Sequence, residues 1–345
     1  MKEISLFSLD TDDGFATAVA SHLGLALGRH EERNFEDGEH KIRPLESVRR
    51  RDVYLVQSLY GDGQFSVNDK LIRVLFFIGA LRDAGAARIT LVAPYLCYSR
   101  KDRQTKPRDP LSFRYLAQLI EAVGVDRVVT LEVHNPAAFQ NAFRCPTVHL
   151  VATSVFLDEL VPQLSGLPVT VASPDVGGMK RADTFRDALE ARLGTPVASA
   201  LMEKRRSGGV VSGDMVAGEL EGRAVIILDD LIASGTTLTR AANAFLARGA
   251  QSVIAVATHG VFAEEAADIL ATPDLKEIIV TNSIPPVRLS PGPALEKVRF
   301  LDVAPLIAQA IHRLHRGESI TELETSEQPA ATKHPLFEDG GPQLL

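Results

Sequence analysis

Short runs of branched aliphatic residues recur along this chain, each closing on a turn signal and leading into a segment of helical periodicity. In the first half they are residues 52–57 (DVYLVQ), 88–93 (RITLVA) and 127–131 (RVVTL). In the second half they include residues 169–172 (VTVA), 224–228 (AVIIL), 252–257 (SVIAVA) and 277–280 (EIIV). Strands this continuously apolar are buried on both faces, the pattern of a parallel sheet covered by helices. The intervening segments 69–84 (DKLIRVLFFIGALRDA) and 237–248 (TLTRAANAFLAR) repeat apolar residues at steps of three and four, as helices lying on such a sheet require. The alternation predicts an α/β fold with doubly wound parallel sheets.

The two halves echo each other. VYLVQSL, a helix, then ALRDAGAARITLVAPY parallels VIILDDL, a helix, then AFLARGAQSVIAVATHG. A match this long predicts two domains of like fold, residues 1–150 and 151–324, although two generic strand–helix–strand units would share the outline. The length of 345 residues accommodates both. From residue 325 onward Pro, Gly and acidic residues follow one another without periodicity, which predicts a flexible tail.

With 45% hydrophobic and 23% charged residues the chain has the means to bury a sizeable core. A net charge of −7 argues against nucleic acid or an anionic membrane as partner, while leaving room for a local basic pocket. Cys97 and Cys145 are too few for a disulfide framework. The opening MKEISLFSLD lacks the basic start and apolar run of a secretory signal, and no apolar run reaches the length of a membrane span. These features predict a soluble, cytoplasmic protein.

The sharpest local signal is residues 225–237, VIILDDLIASGTT. A buried strand closes on Asp229 and Asp230, and a loop of small residues, Ser234, Gly235, Thr236 and Thr237, opens the next helix. Hydroxyls, backbone N–H groups and a helix N-terminus together cradle an anion. Carboxylates at the strand end stand where open α/β sheets bind ligands, placed to hold sugar hydroxyls directly or through a cation. A strand–helix turn with ordinary Ser/Thr capping would use some of the same residues.

This loop resembles the one that binds 5-phosphoribosyl 1-pyrophosphate (PRPP) in phosphoribosyltransferases. Five further blocks in family order make the chain similar to ribose-phosphate pyrophosphokinases (PRPP synthetases) from about Ser5 to Leu323. They are residues 34–39 (NFEDGE), 99–103 (SRKDR), Val133-His134, 173–178 (SPDVGG) and 204–206 (KRR). The resemblance implies two domains of the type I phosphoribosyltransferase kind and transfer of a diphosphoryl group from ATP to ribose 5-phosphate. Phe35, Asp37 and Glu39 would clamp adenine across a subunit interface, which implies a homo-oligomer, either a dimer or a hexamer built from dimers. Arg100, Lys101, Asp102 and His134 would serve ATP, and His134 with Asp175 would hold Mg²⁺. Asp229, Asp230, Ser234, Gly235, Thr236 and Thr237 would take ribose 5-phosphate, and Lys204 and Arg206 would be the catalytic cations of a lid. Outside the resemblance, NFEDGE reads as a turn, His134 as a structural histidine, and the triplet at 204–206 as a solvated charge run between two strands.

Three positions depart from the family pattern. Lys101 replaces a usual Gln, Ala233 replaces an Asp in the loop, and Asp302 stands where a Ser commonly helps hold a regulatory phosphate, with Arg49 matching its cationic partner. Asp302 would also cap the helix that follows it. A phosphoribosyltransferase would need the loop at 229–237 but not the segments around Phe35 and Arg100. A catalytically silent regulatory homologue would keep the fold with a damaged lid, whereas Lys204 and Arg206 are both present.

Overall fold

The computed structural model describes residues 3–9, 14–207 and 210–324, so the expected tail at 325–345 lies outside the described residues. The first half runs β1 (Ile4–Phe7), α1 (Phe15–His22), β2 (His30–Asn34), β3 (His40–Pro44), β4 (Asp52–Val56), α2 (Val67–Asp83), β5 (Arg88–Ala93), α3 (Ser112–Ala122), β6 (Arg127–Leu131), α4 (Pro136–Ala142) and β7 (Thr147–Leu150). The second half runs α5 (Thr153–Leu164), β8 (Val169–Ser173), a short turn of helix at Val176–Gly178, α6 (Met179–Leu193), β9 (Val197–Ser207), β10 (Val210–Gly218) and β11 (Ala224–Ile232). It continues with α7 (Thr236–Leu246), β12 (Ser252–Gly260), α8 (Ala266–Leu270), β13 (Glu277–Thr281), α9 (Pro293–Glu296), β14 (Val298–Leu301), α10 (Ala304–Arg316) and α11 (Thr321–Glu324). No helix among the described residues is long and apolar enough to cross a membrane.

The expected α/β fold with parallel sheets is present. One sheet has the order β1-β4-β5-β6-β7 and the other β10-β9-β8-β11-β12-β13-β14, while β2 and β3 form a separate hairpin. In the second sheet the order reverses between β8 and β11, the topological switch point where open sheets leave a crevice at their C-terminal edge. The pairing of β11 with β8 stops at Ile227 opposite Ala172, whereas its pairing with β12 continues to Ile232 opposite Gly260. Asp229 and Asp230 therefore lie inside the strand rather than at its end. Their side toward β8 is nonetheless open, because β8 has already turned away.

Both sheets are covered on both faces, as the apolar strands demand. Helices α2, α3 and α4 close the outer face of the first sheet over Leu55, Leu91 and Val128. Helices α7, α8 and α9 close the outer face of the second over Ile227, Ala255 and Ile278. Between the sheets lies a shared core, in which α1, α5, α6 and α10 bring Tyr54, Val56 and Val92 together with Ile226, Val256 and Ile279. Helix α2 starts on a capping box, Ser66 accepting from Asp69 N while Asp69 accepts from Ser66 N. The Asp302 carboxylate accepts from Ala304 N at 2.9 Å and from Asn282 Nδ2 at 2.7 Å, so it takes up one N–H of α10, while the N-cap position itself is Val303, without a side-chain cap.

One ion cluster ties α10 of the second half to β4 of the first. The Asp52 side chain is fully buried and accepts from Arg88 Nε at 2.7 Å, from Tyr54 at 3.3 Å and from His315 Nδ1 on α10 at 2.7 Å. Burial would raise its carboxyl, but the bonds from Arg88 and His315 outweigh it and hold it below the ordinary range. Removing the carboxylate leaves the Arg88 guanidinium and His315 Nδ1 without their buried acceptor. Asp52→Ala is expected to lower the free energy of unfolding by about 3 kcal/mol or more in urea titrations at neutral pH. Because the folded-state value is depressed, this contribution is complete above pH ~5 and is lost as pH falls through the depressed value. A loss below ~1 kcal/mol would place the linkage between α10 and β4 elsewhere.

Candidate active site

Three chain segments converge on the crevice at the switch point. The first is the turn after β6. Glu132 takes a left-handed backbone, φ 46°, unusual for a residue other than glycine, and the turn is pinned from several sides. Glu132 N donates to Leu150 O at 2.8 Å, and Val133 N donates to His149 Nε2 at 3.2 Å. Burial holds the His149 pKa down at about 4, consistent with a neutral ring accepting through that nitrogen. From the second half, His259 on β12 lies 2.9 Å from Leu131 O and 3.1 Å from Glu132 O through Nε2, while its Nδ1 lies 2.8 Å from Ser283 Oγ. The tautomer with hydrogen on Nε2 satisfies all of these, and burial keeps the ring neutral.

The second segment is Asp229-Asp230 on β11, and the structure separates the two carboxylates. Asp230 is 3% exposed, with Oδ2 at 3.1 Å from His134 Nδ1 and Oδ1 at 3.4 Å from Arg181 Nη1. Burial would raise its carboxyl, but the His134 bond and the Arg181 charge hold it ionised. Asp229 is more open, its side chain 24% exposed, and its Oδ1 accepts from Asp230 N at 2.9 Å. Burial and the neighbouring Asp230 charge push its carboxyl upward.

The third segment joins β8 to α6. Asp175 Oδ1 accepts from Gly178 N at 3.0 Å, and Ser173 Oγ donates to Asp175 O at 2.6 Å. A Cβ on Gly178 would stand 2.6 Å from Ser173 Oγ, so this tight turn requires glycine. The turn aims the first turn of α6 into the crevice. Arg181 thereby reaches Glu132 Oε1 at 3.5 Å, Asp230 Oδ1 at 3.4 Å, Asp229 Oδ1 at 3.8 Å and His134 O at 3.4 Å. Sequence reasoning singled out neither Arg181 nor Glu132. The signal that points to them is positional: a cation one turn into the helix after Asp175, and an acid two residues before His134. Burial raises the Glu132 pKa to about 7 against the lowering effect of Arg181.

Beyond β11 the loop turns into α7. Gly235 has φ 83°, and a Cβ there would stand 2.4 Å from Leu270, so glycine is required. Ser234 Oγ and Thr236 Oγ1 lie 3.0 Å apart at the uncapped N-terminus of α7. Thr236 N donates to Ser234 Oγ at 3.4 Å, and hydroxyls beside the backbone N–H groups of a helix start can hold a phosphate. Ala233, where the family pattern has Asp, is half-buried, and its carbonyl accepts from Ala263 N.

The segment after β5 approaches from the other side. Asp102 Oδ2 accepts from Asn135 Nδ2 at 2.6 Å, joining it to the residue after His134. Lys101 is held within its own loop, its Nζ 2.8 Å from Asp109 Oδ2, which also accepts from Thr105 N and Lys106 N. Arg100 is exposed. Just before it, Tyr95 and Tyr98 line a cleft of about 620 Å³ that reaches Phe65 and Arg288. Phe35, Asp37 and Glu39 stand apart at the tip of the β2–β3 hairpin. There Phe35 N donates to Glu39 O, Asp37 Oδ1 accepts from Glu39 N, and the ring of Phe35 is 41% exposed beside a cleft of its own. Lys204, Arg205 and Arg206 lie on β9, opposite Asp214, Gly213 and Val211 of β10, rather than in a loop between strands. Their side chains lie outside the described residues.

Among the described residues no three His, Cys, Asp or Glu side chains form a group able to hold a metal ion by themselves. Mg²⁺ commonly keeps waters and shares substrate phosphate oxygens, needing only one or two protein groups. His134 Nε2 and Asp175 Oδ2, whose companion atoms are already bonded, suit an ion that arrives with a nucleotide.

Residues 4–124 match the family model for the N-terminal domain of ribose phosphate pyrophosphokinase, and residues 212–324 match that of the phosphoribosyl synthetase-associated domain. The chain is 37% identical over 323 residues to a ribose-phosphate pyrophosphokinase of Caldanaerobacter subterraneus subsp. tengcongensis, covering 93% of this chain and 98% of that one. The chain belongs to the ribose-phosphate pyrophosphokinase family. A ribose-phosphate pyrophosphokinase of Corynebacterium ammoniagenes is 36% identical, covering 93% of this chain and 96% of its own length. The crystal structure of phosphoribosylpyrophosphate synthetase from Mycobacterium smegmatis superposes with a TM-score of 0.82 at 31% identity, covering 92% of this chain and all of that one. The two pyrophosphokinases are matched over nearly their whole length, with 93% of this chain covered.

The bond between His134 and Asp230 raises the pKa of the imidazole above its ordinary value. Asp230→Asn removes the anion that stabilises the protonated ring. The His134 titration, followed by NMR of labelled histidine, is expected to move to lower pH in the variant. An unchanged titration would show that the pair does not form in solution.

Proposed function

We propose that this member of the family transfers the diphosphoryl group of ATP to the C1 hydroxyl of ribose 5-phosphate, giving PRPP and AMP, as a cytoplasmic step of nucleotide biosynthesis. The observation that carries the reading is the pairing of His134, whose neighbour Asn135 binds Asp102, with Asp230 on the strand that leads into the Ser234–Thr236 loop. A sugar-phosphate site and a nucleotide site would thus face each other.

In the reaction the C1 oxygen forms a bond to the β-phosphorus while the bond from that phosphorus to the α,β-bridging oxygen breaks. AMP leaves with the bridging oxygen, and the hydroxyl proton passes to solvent. Ser234, Gly235, Thr236 and Thr237 would grip the 5-phosphate, and Asp229 and Asp230 would hold the ribose hydroxyls. Arg100, Lys101, Asp102 and His134 would orient the nucleotide, with Lys101 giving up part of its hold on Asp109. Phe35, Asp37 and Glu39 would meet the adenine of a second copy of the chain, in keeping with the hairpin standing clear of its own crevice. His134 and Asp175 would hold Mg²⁺, which supplies charge neutralisation along the phosphates. No covalent intermediate on the protein is required, since positioning and dispersed positive charge suffice for such transfers.

Lys204 and Arg206 would close over the transferring group, and an antiparallel ribbon of β9 and β10 can carry a lid as a unit. Lys204→Ala or Arg206→Ala is expected to lower kcat by about 10²-fold, as loss of a contact to developing charge commonly does. The KM for ATP should change little. Initial rates of AMP formation dependent on ribose 5-phosphate measure both quantities. Near-normal kcat in both variants would remove the lid from the mechanism, and absence of AMP from the unaltered protein would refute the reaction.

A further inference from the structure

Among the described residues, Lys70 and Arg73 are the buried lysine and arginine, 3% and 9% exposed, and they stand one turn apart on α2. Lys70 Nζ lies 2.8 Å from Asp62 Oδ2 and 3.8 Å from the centre of the Tyr60 ring. Asp62 Oδ1 in turn accepts from Phe65 N at 2.7 Å and Gln64 N at 2.8 Å, so the loop before α2 is fastened to the helix. Arg73 Cζ lies 3.8 Å from the centre of the Phe65 ring, and its guanidinium forms an ion pair with Glu32 on β2. Arg73 thus joins a fixed loop to the β2–β3 hairpin, whose tip carries Phe35, Asp37 and Glu39.

Around this pair the hairpin meets α2 through rings and aliphatic groups. His40 stacks on Phe76 with ring centres 5.6 Å apart, His30 meets the edge of Phe77 at 5.8 Å, and Ile42 is buried opposite Glu32. Apolar contact is non-directional and does not by itself fix how the hairpin lies along the helix. A guanidinium–carboxylate pair is directional and does. Glu32 Oε1 has no hydrogen bond, and His30 Nε2 is 3.5 Å from it, which leaves Arg73 as the close partner of this carboxylate. Phe35 follows Glu32 by three residues, about 10 Å along an extended strand, so a small rotation at the root is amplified at the tip.

We propose that Arg73 is a positioning residue for the nucleotide. Braced by the Phe65 ring, it holds Glu32 and so sets the angle at which the hairpin presents Phe35, Asp37 and Glu39 to adenine. This assignment rests on the reading of those three residues as an adenine clamp. It makes adenine recognition depend on a buried contact behind the clamp, while the sugar-phosphate site is untouched.

The test compares the unaltered protein with Arg73→Gln, Arg73→Lys, Glu32→Gln and the double variant Arg73→Gln/Glu32→Gln. Binding of a non-hydrolysable ATP analogue is measured by calorimetry, and kcat and the KM of each substrate are taken from AMP formation. Arg73→Gln is expected to weaken nucleotide binding by about fivefold or more, equivalent to about 1 kcal/mol, with kcat and the KM for ribose 5-phosphate within about twofold. Arg73→Lys should recover part of the loss, because an ammonium pairs with Glu32 but lacks the planar face that stacks on Phe65. The double variant should bind nucleotide no more weakly than Arg73→Gln, as two residues acting through one contact require. Amide hydrogen exchange in Arg73→Gln should rise across residues 30–44 and stay unchanged in β4 and β5. Nucleotide affinity within about twofold of the unaltered protein in Arg73→Gln, or fully additive losses in the double variant, would overturn the role. An equal rise in both KM values, or faster exchange throughout the first sheet, would overturn it too, marking a general loss of stability. Phe35→Ala separates this inference from the reading beneath it. Unchanged nucleotide affinity in Phe35→Ala overturns the clamp and the brace together, whereas a loss there without one in Arg73→Gln overturns the brace alone.

Discussion

A carboxylate as buried as that of Asp230 cannot stay ionised without close partners, because desolvating it costs several kcal/mol. Its partners come from both sides of the molecule: His134 from the turn after β6, and Arg181 from the first turn of α6. The arrangement exists only when the two sheets are held in register across their shared core. The left-handed Glu132 backbone, the His259 bonds to Leu131 O and Glu132 O, and the Asp52 link to His315 all serve that register. The site is thus assembled where the fold is most constrained, and strain at Glu132 is held in place by its surroundings.

Much of the architecture could be read from the chain. The strands at 88–93 and 127–131 appear where the apolar runs predict them, because strands buried on both faces leave no ambiguity of pattern. The helix expected from residue 69 begins at Val67, since the Ser66–Asp69 capping box extends it backward. Strands β1, β7 and β14 were not singled out, being four residues each and too short for periodicity to register. The extension of β11 through Asp230 also escaped, because carboxylates ordinarily end a strand. Here pairing with β12 alone carries the backbone past them.

The site divides in the same way. The anion loop, Asp229 and Asp230 announce themselves locally, since hydroxyls, glycine and acids cluster within a few residues. His134 and Asp175 were reached only through family resemblance, and the fold places both at the crevice edge. Arg181 and Glu132 carried no local mark, because their importance lies in contacts between segments far apart in sequence. Lys101 shows the converse. Its sequence position suggests a nucleotide contact, while its ammonium in the folded chain organises the loop around Asp109.

The account as a whole stands on the direction of group transfer. Ribose 5-phosphate carrying heavy oxygen at C1, incubated with ATP and Mg²⁺ and followed by phosphorus NMR, tests it most directly. Attack by the C1 oxygen on the β-phosphorus leaves the C1–O bond intact. The heavy oxygen should then bridge C1 and the attached phosphorus of PRPP, with unlabelled AMP formed in equal amount. Formation of ADP, or of PRPP whose C1-bridging oxygen is unlabelled, would contradict the account.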